Sequence, residues 1–336
     1  MAWSRLNGLS GRSPLAAASM VVVAKSRCRA SSRYDQLHNM SIQRKSTILA
    51  VAVLVAAGGS YFYFHRSPIV TDKDFIVIAD FTNNTSNAVF DDTLRQGLAT
   101  KLRESTFLNV VSDQEIVQTL GLMGQPADLR LNQYLARQIC EHTGSVAVIN
   151  GSIGTSEDGY VVGLNAVNCK TGKTLAQEEV TSEDKEHVLA ALGKASTGIR
   201  TSLGESHGLL SQFDTPLVEA TTSSLEALQA YSRGLKAFNH ADIETSLPFF
   251  QRAVNLDSNF SLAYAALGTS YFNLRETKLA VENLKKAYEL RDRLSRRDKF
   301  DVSCQYYRLV TGDLEKAAEA CKQWAQTYPR DSKTAR

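Results

Sequence analysis

The residue types that usually carry catalysis or bind metals occur in this sequence, but their spacing suits neither task. The six histidines are scattered, with no metal-binding spacing such as H-E-x-x-H, and no G-x-S-x-G nucleophile motif is present. The glycines of residues 151–159 (GSIGTSEDG) lie between two predicted strands and open no helix, so they predict a hairpin instead of a phosphate-binding loop. Asp91 and Asp92 open a predicted helix, where carboxylates suit the positive end of the helix dipole. The sequence therefore predicts a protein that is not an enzyme and that holds no cofactor or metal.

Charge divides the 336-residue chain into two unequal parts. The formal net charge is +3, and residues 1–45 hold eight Lys and Arg residues against one acid, so the remainder is net acidic. We expect residues 1–45 to be a basic, disordered cytoplasmic tail. A nucleic-acid partner is not expected, because the part predicted to fold shows no basic stripe.

Residues 46–66 (STILAVAVLVAAGGSYFYFHR) predict a transmembrane helix. The uncharged run from Thr47 to Phe64 has eighteen residues, and about 18 apolar residues suffice to span a membrane. Aromatic rings followed by Arg66 are typical of a membrane exit, while a cleaved signal peptide and a buried core helix are alternatives. Because the basic flank favours a cytoplasmic N-terminus, the prediction is a single-pass inner-membrane protein whose bulk is periplasmic or otherwise extracytoplasmic.

Residues 74–205 alternate between predicted strands and helices. The apolar run 74–81 (DFIVIADF) predicts a buried strand, residues 89–105 predict a helix, and residues 108–112 predict a second strand. This order predicts a parallel βαβ unit with a right-handed crossover. Two further helices, three strands and a final helix complete one mixed α/β domain. Residues 206–224 are predicted to be a linker.

A 34-residue period governs the sequence from residue 225 onward. Gly234 and Gly268 lie one period apart. This is the tetratricopeptide (TPR) period, in which each repeat is a pair of helices, A and B. The prediction is an all-α TPR solenoid over residues 225–336, whose third repeat follows a three-residue insertion. The predicted repeats are 227–260, 261–294 and 298–331.

Four cysteines lie in parts of the chain predicted to fold. Cys140 falls late in a predicted helix and Cys169 at the end of a predicted strand. A disulfide between them and a pair of buried thiols are both open, and an extracytoplasmic location would permit the disulfide. Cys304 and Cys321 lie at positions of the third repeat that normally face its core, so we expect them to pack as small hydrophobic residues.

Three segments precede the repeats in a recognisable order: TDKDFIVIADFTNNTSNAVFDDTLRQGL, CEHTGSVAVINGSI and FDTPLVEATTSSLEALQAYSRG. With the apolar segment and the repeats, they resemble the extracytoplasmic half of bacterial membrane serine/threonine kinases that carry TPR repeats. The α/β part is similar to the N-terminal domain of TolB-type envelope proteins. The resemblance implies an α+β fold class with a single transmembrane helix, a mixed α/β (TolB N-terminal-like) domain and an all-α TPR solenoid. Kinase activity is not implied, because no V-A-I-K, H-R-D or D-F-G motif is present.

The repeats carry the functional prediction. We expect a non-enzymatic, membrane-anchored envelope scaffold or adaptor that binds a protein or peptide in the concave groove of the repeats. The alternative is a ligand-sensing signalling subunit whose α/β domain binds a small molecule near Asn83 to Asn87, at the carboxyl ends of its parallel strands. Some of the groove residues could instead pack between repeats. The expected partner-binding residues of the groove are Tyr231, Leu235, Phe238, Asn239, Leu262, Thr269, Phe272, Asn273 and Tyr306.

The last helix of the third repeat predicts a further surface. It carries Ala317, Cys321, Trp324 and Ala325, and the chain after it offers no helix to cover them. TPR helices normally bury this face against the next repeat, and an apolar strip left open marks an interaction site or a truncated chain. Trp324 is therefore a further predicted partner-binding residue, and self-association through the C-terminal repeat is predicted with it.

Overall fold

The structure is a computed structural model that describes residues 69–331 and 333. Strands and helices come first along the chain, and helices alone follow, so the order is that of an α+β protein. The elements of the α/β region are β1 (Phe75–Ile78), β2 (Thr82–Asn83), α1 (Thr93–Arg103), β3 (Asn109–Val110), α2 (Asp113–Leu122), α3 (Gln133–His142), β4 (Ala147–Ser156), β5 (Gly159–Asn168), β6 (Thr174–Ser182) and α4 (Val188–Leu203). The elements of the helical region are α5 (His207–Phe213), α6 (Leu217–Ala220), α7 (Leu225–Asn239), α8 (Ile243–Leu256), α9 (Ser261–Asn273), α10 (Thr277–Glu289), α11 (Arg296–Tyr306) and α12 (Leu314–Thr327).

One mixed sheet forms the centre of the α/β region, with the strand order β3-β1-β4-β5-β6. β1 is parallel to both of its neighbours: Ile76 pairs with Val110 of β3 on one side and with Ala147 of β4 on the other. β4, β5 and β6 form an antiparallel meander. β1, α1 and β3 therefore make a parallel βαβ unit.

Helices cover both faces of the sheet, and β1 is apolar on both sides, as is typical of buried parallel strands. Ile76 and Ile78 belong to the core under α1 and α4, while Val77 belongs to a second core under α2 and α3. Leu94 and Leu98 of α1 are fully buried in the first core. The apolar stripe of α1 thus packs on the sheet, and its polar face remains for another contact.

The segment predicted to be a linker, residues 206–224, folds as α5 and α6. Leu217 of α6 packs against Gly97 of α1, where an added Cβ atom would lie 3.0 Å from Leu192 of α4 and 3.4 Å from Leu217. Leu228 of α7 belongs to the same apolar core. The α/β region and the first repeat therefore share one core.

The three helical hairpins α7/α8, α9/α10 and α11/α12 turn from helix A to helix B with the same backbone conformation. Ala241, Arg275 and Gly312 all have a positive φ, of 61°, 64° and 70°. The first two lie one 34-residue period apart, and the third follows the three-residue insertion. The helical region thus has the repeating architecture of TPR units.

Two glycines show how closely the paired helices approach. A Cβ atom on Gly234 would lie 2.6 Å from the ring of Phe250, and one on Gly268 would lie 2.7 Å from Leu284. These distances are too short for a real contact, so a side chain here would force helix B away. The third hairpin has Gln305 at the equivalent position, so the period is imperfect there.

The membrane part of the predicted fold class is corrected. Among residues 69–331 and 333, no helix is both long enough and apolar enough to cross a membrane. The segment predicted to do so, residues 46–66, and the predicted tail, residues 1–45, lie outside the described residues. The fold class supported by the structure is a mixed α/β region followed by helical repeats, and the single-pass inner-membrane location is not retained.

Both cysteine pairs of the described region are disulfide-bonded. Cys140–Cys169 joins the end of α3 to the residue after β5. Cys304–Cys321 joins α11 to α12, so the prediction that these two cysteines pack only as small hydrophobic residues is wrong. Their Cα atoms lie 5.5 Å apart, a separation that a disulfide spans, because core-facing positions of helices A and B meet there.

We expect the double variant Cys304→Ser/Cys321→Ser to lose about 3 kcal/mol of the free energy of unfolding. The two cysteines are 17 positions apart. A cross-link of this length lowers the conformational entropy of the unfolded chain, which stabilises the fold by roughly that free energy. Urea unfolding without reducing agent measures the loss, and dithiothreitol should abolish the difference between the variant and the unsubstituted chain. Equal stability of the two chains under oxidising conditions would contradict the second disulfide.

Candidate functional site

A long groove lies between the helical repeats and the α/β region. The A helices α7, α9 and α11 form one wall, helix α1 forms part of the other, and the space between them is about 980 Å³. We call this space the central groove. Its repeat wall is formed by Leu235, Phe238, Leu262, Phe272, Asn273 and Leu309, and its α1 wall by Gln96, Thr100 and Arg103.

The structure brings most of the predicted groove residues together. Those that line the central groove are Tyr231, Leu235, Phe238, Asn239, Leu262, Thr269, Phe272 and Asn273. Phe272 is the most open of the apolar ones, with 46% of its surface exposed, whereas Tyr231 is buried. Equivalent positions of successive A helices thus face one space, as the 34-residue period requires.

Tyr306 is not among the side chains that line the central groove, so the prediction for it is corrected. Its ring stacks on Tyr288, with the ring centroids 3.9 Å apart. The neighbouring Gln305 instead accepts a hydrogen bond from the Thr269 hydroxyl (2.8 Å). The groove-facing residues of α11 include Asp298, Asp301, Val302 and Gln305, which share one face of the helix, so the adjacent Tyr306 points away from it.

The α1 wall is not predicted from the sequence. Gln96, Thr100 and Arg103 are spaced by four and three residues, so they lie on one face of the helix. Such a polar face is usually solvated, but the repeats cover this one, and Gln96 and Thr100 are buried. The cover comes from far along the chain: the Ser232 hydroxyl of α7 donates to the Asp92 carbonyl, 140 positions earlier (3.0 Å). Local sequence carries no signal of this contact.

The charged side chains at one end of the groove pair with one another. Arg297 contacts Asp298 at 2.7 Å and Asp331 at 2.6 Å, and Lys333 contacts Asp301 at 2.6 Å. These cations and carboxylates neutralise each other, which leaves little net charge for a ligand to match. The lining also holds three further cations and two further carboxylates, so five cations balance five carboxylates in all: Arg103, Arg308 and Arg330, with Asp72 and Asp113. The rest of the lining consists of amides, hydroxyls and apolar side chains, so the groove suits a chain without net charge and with apolar side groups.

The third hairpin packs back on the α/β region. Trp324 is 4% exposed and packs with Phe213 of α5 and with Tyr328. The Tyr328 hydroxyl donates to the backbone carbonyl of Glu104, just after α1 (3.1 Å). The prediction of an open apolar strip is therefore wrong, because the segment expected to be a linker covers it. Self-association through an open strip of this repeat loses its basis, whereas Trp324 also lines the central groove, so partner binding by Trp324 stays a prediction.

Five charged side chains, four of them buried, form a group beside this contact. Arg200 is fully buried and contacts Glu104 (3.0 Å), Glu205 (2.8 Å) and Asp214 (2.8 Å). Lys101 contacts Glu104 and also Asp214 (2.7 Å). We call these five residues the junction cluster. The junction cluster contains two cations and three carboxylates. Burial raises the pKa of Glu104 to about 7, and the negative charge of Asp214 adds to this effect, while Lys101 and Arg200 oppose it.

We expect this extra carboxylate to make stability depend on pH. Glu104 binds a proton more readily in the folded chain than in the unfolded chain, where its pKa is about 4.5. The free energy of unfolding should therefore fall as the pH rises from about 4.5 to about 7, by on the order of 3 kcal/mol. Urea unfolding across this range measures the fall, and the Glu104→Gln variant should lack it. A variant with the same pH dependence as the unsubstituted chain would contradict this role of Glu104.

The loop near the carboxyl ends of the parallel strands is bonded within itself. The Asn83 amide nitrogen donates to the Asn87 carbonyl and to the Asp91 carboxylate, each at 3.0 Å. The Asn83 amide oxygen accepts hydrogen bonds from the backbone N–H and the hydroxyl of Thr85. The polar atoms of Asn83 are thus already used, and the structure lends no support to a small-molecule site there.

Comparison with known proteins matches the repeats. No family model matches the chain. Tetratricopeptide repeat protein 16 of Macaca fascicularis is 37% identical over 75 residues, which are 22% of this chain and 9% of that protein. The Homo sapiens protein of the same name is 36% identical over 88 residues, which are 26% of this chain and 10% of that protein. The chain thus spans about a tenth of the length of these relatives, and the match agrees with the hairpin geometry that the chain contains TPR-type repeats.

Solved structures match the chain in pieces. The match to the C-terminal domain of LpoB from Salmonella enterica covers 33% of this chain and 82% of the LpoB chain, with a TM-score of 0.30 and 16% identity. The match to TolB from Acinetobacter baumannii covers 40% of this chain and 29% of the TolB chain, with a TM-score of 0.28 and 20% identity. The match to MamA covers 44% of this chain and 76% of the MamA chain, with a TM-score of 0.24 and 18% identity. These scores are too low to establish a shared fold, so the resemblance to TolB-type domains and to the kinase family stays a prediction.

Proposed function

We propose that this protein is a scaffold or adaptor that binds an extended, uncharged peptide segment of a partner protein in the central groove. The observation that carries the proposal is the set of apolar and amide side chains that successive A helices direct into one space. A bound peptide needs apolar pockets for its side chains and a few well-placed hydrogen bonds for its main chain.

Two asparagines support the main-chain part of the proposal. Asn239 and Asn273 lie one 34-residue period apart, at the ends of α7 and α9, and both line the central groove. Within residues 69–331 and 333, neither side-chain amide has a hydrogen-bond partner. Each amide offers a donor and an acceptor, which are the two groups that a peptide bond requires.

Phe272 supports the apolar part of the proposal. It occupies the position of Phe238 one repeat later, and both rings line the groove beside Leu235. Grouped apolar side chains that remain open to solvent mark binding sites more often than isolated ones do. Burial of one such ring against a partner would contribute about 1.5–3 kcal/mol to binding.

Selection of short peptides from a phage-displayed random library, with the full chain as the target, tests this function. Enriched peptides should be uncharged and rich in apolar residues, and one of them, labelled with a fluorophore, serves as the probe in anisotropy titrations. We expect Phe272→Asp to weaken its binding by about tenfold or more, since a tenfold change corresponds to about 1.4 kcal/mol. The melting temperature should stay nearly unchanged.

The matched control is Leu122→Asp, because Leu122 of α2 is 88% exposed and is not part of the groove lining. This variant should bind the probe as the unsubstituted chain does. Equal effects of the two substitutions on binding would overturn the proposed function.

A further inference from the structure

We infer that helix α1 is part of the binding site, and that Tyr231 and Gln96 together bind one peptide group of the partner's main chain. This inference rests on the proposed function. In it, α1 is the second wall of the binding site, and Tyr231 and Gln96 fix the position of the bound segment. Its basis is that each of these two buried side chains keeps a polar atom without a hydrogen bond in the central groove.

Tyr231 is a buried tyrosine whose hydroxyl has no partner. Only 7% of the residue is exposed, and its ring is held by Phe250 and Phe260, with ring centroids 5.9 Å and 4.9 Å away. In the part of the chain that the structure describes, the hydroxyl makes no hydrogen bond. The hydroxyl is not among the fully buried unpaired atoms of the described residues, so the small exposed part of Tyr231 includes it, and it opens on the central groove that Tyr231 lines. An acceptor on a bound molecule would satisfy it.

The surroundings of Tyr231 determine which acceptor fits. Burial, followed by the negative charge of Asp298 and Asp301, raises the pKa of Tyr231, so the hydroxyl keeps its proton at neutral pH and can donate it to a hydrogen bond. The charges around the groove are balanced, with no excess of cations that would favour an anion as the acceptor. A neutral peptide carbonyl meets both conditions.

Gln96 offers the complementary acceptor from the opposite wall. It is 6% exposed, and its amide nitrogen donates to the Thr100 hydroxyl (3.4 Å), while its amide oxygen has no hydrogen bond among the described residues. The Asp92 carbonyl joins the two walls beside it, because it accepts from the Ser232 hydroxyl (3.0 Å) and from the Gln96 backbone N–H (3.3 Å). Ser232 is next to Tyr231 in α7 and Asp92 is one helical turn before Gln96, so the two walls are joined close to both residues, and both line the central groove.

A peptide group fits between two such walls for a geometric reason. In a trans peptide bond the C=O and the N–H point in opposite directions, so an extended segment presents its acceptor to one side and its donor to the other. Tyr231 would donate to the carbonyl, and Gln96 would accept from the N–H. The rigid Tyr231 ring would fix the register of the segment, and the asparagines of α7 and α9 would bind it further along.

The peptide obtained by phage selection tests this pair. We expect Tyr231→Phe and Gln96→Leu each to weaken its binding about threefold to tenfold, the range of one neutral hydrogen bond. Tyr231→Phe should leave the melting temperature unchanged, because its hydroxyl has no partner to lose. Tyr288→Phe is the matched control: its hydroxyl is hydrogen-bonded to the Tyr307 hydroxyl (2.6 Å), and Tyr288 is not part of the groove lining, so this variant should lower the melting temperature and leave peptide binding unchanged.

Methylation of single backbone nitrogens of the peptide locates the contact. At one position it should weaken binding to the unsubstituted chain but cause no further loss with Gln96→Leu, because the same hydrogen bond is already gone. If Phe272→Asp weakens binding while Tyr231→Phe and Gln96→Leu do not, the inference fails and the proposed function stands. If Phe272→Asp has no effect either, both fail.

Discussion

Replacement of Arg200 with methionine is expected to lower the free energy of unfolding by about 3–5 kcal/mol. The Arg200 guanidinium is fully buried and contacts Glu104, Glu205 and Asp214. Without it, Lys101 alone faces three carboxylates in the junction cluster, and buried charges without partners are strongly destabilising. Urea unfolding near neutral pH measures the loss.

Arg252→Met is the matched control for this substitution. Arg252 is exposed on α8, and exposed substitutions usually change stability by no more than about 0.5 kcal/mol. A loss at Arg200 as small as the one at Arg252 would contradict the view that the junction cluster stabilises the fold.

Phe250→Ala is expected to cost about 3–5 kcal/mol, the range found for large buried aromatic residues. Phe250 is fully buried, and its ring lies against Gly234, which has no side chain to fill the cavity left behind. Phe272→Ala is the matched control, because Phe272 is largely open to the groove, and it should cost less than about 1 kcal/mol. Thermal or urea unfolding compares the two, and similar losses would show that Phe272 is a core residue and not a groove residue.

Features of the fold that depend on short stretches of sequence could be predicted. The apolar run 74–81 contains β1, because a continuous apolar run is typical of a parallel strand buried on both faces. The spacing of Gly234 and Gly268 indicates where paired helices approach, and the structure places both glycines against helix-B side chains. The same period placed most of the repeat wall of the central groove, from Leu235 to Asn273.

Features that depend on distant segments could not be predicted. Trp324 is covered by Phe213, because the third hairpin returns to the α/β region. The α1 wall is covered by the first hairpin, where Ser232 contacts Asp92. No sequence pattern within a single helix or strand indicates that these distant segments pack against each other. Cys304 and Cys321 show a different limit, since the positions that pack against each other in a helical hairpin are also the positions that a disulfide can join.

Site-specific photo-crosslinking tests most directly whether the central groove binds a peptide. A benzophenone amino acid is introduced at position 272 in one variant of the full chain and at position 122 in another, and each is irradiated with the phage-selected peptide. We expect the peptide to be attached covalently to the variant with the benzophenone at position 272 and not to the one with it at position 122. Attachment at position 122 without attachment at position 272 would contradict peptide binding in the central groove.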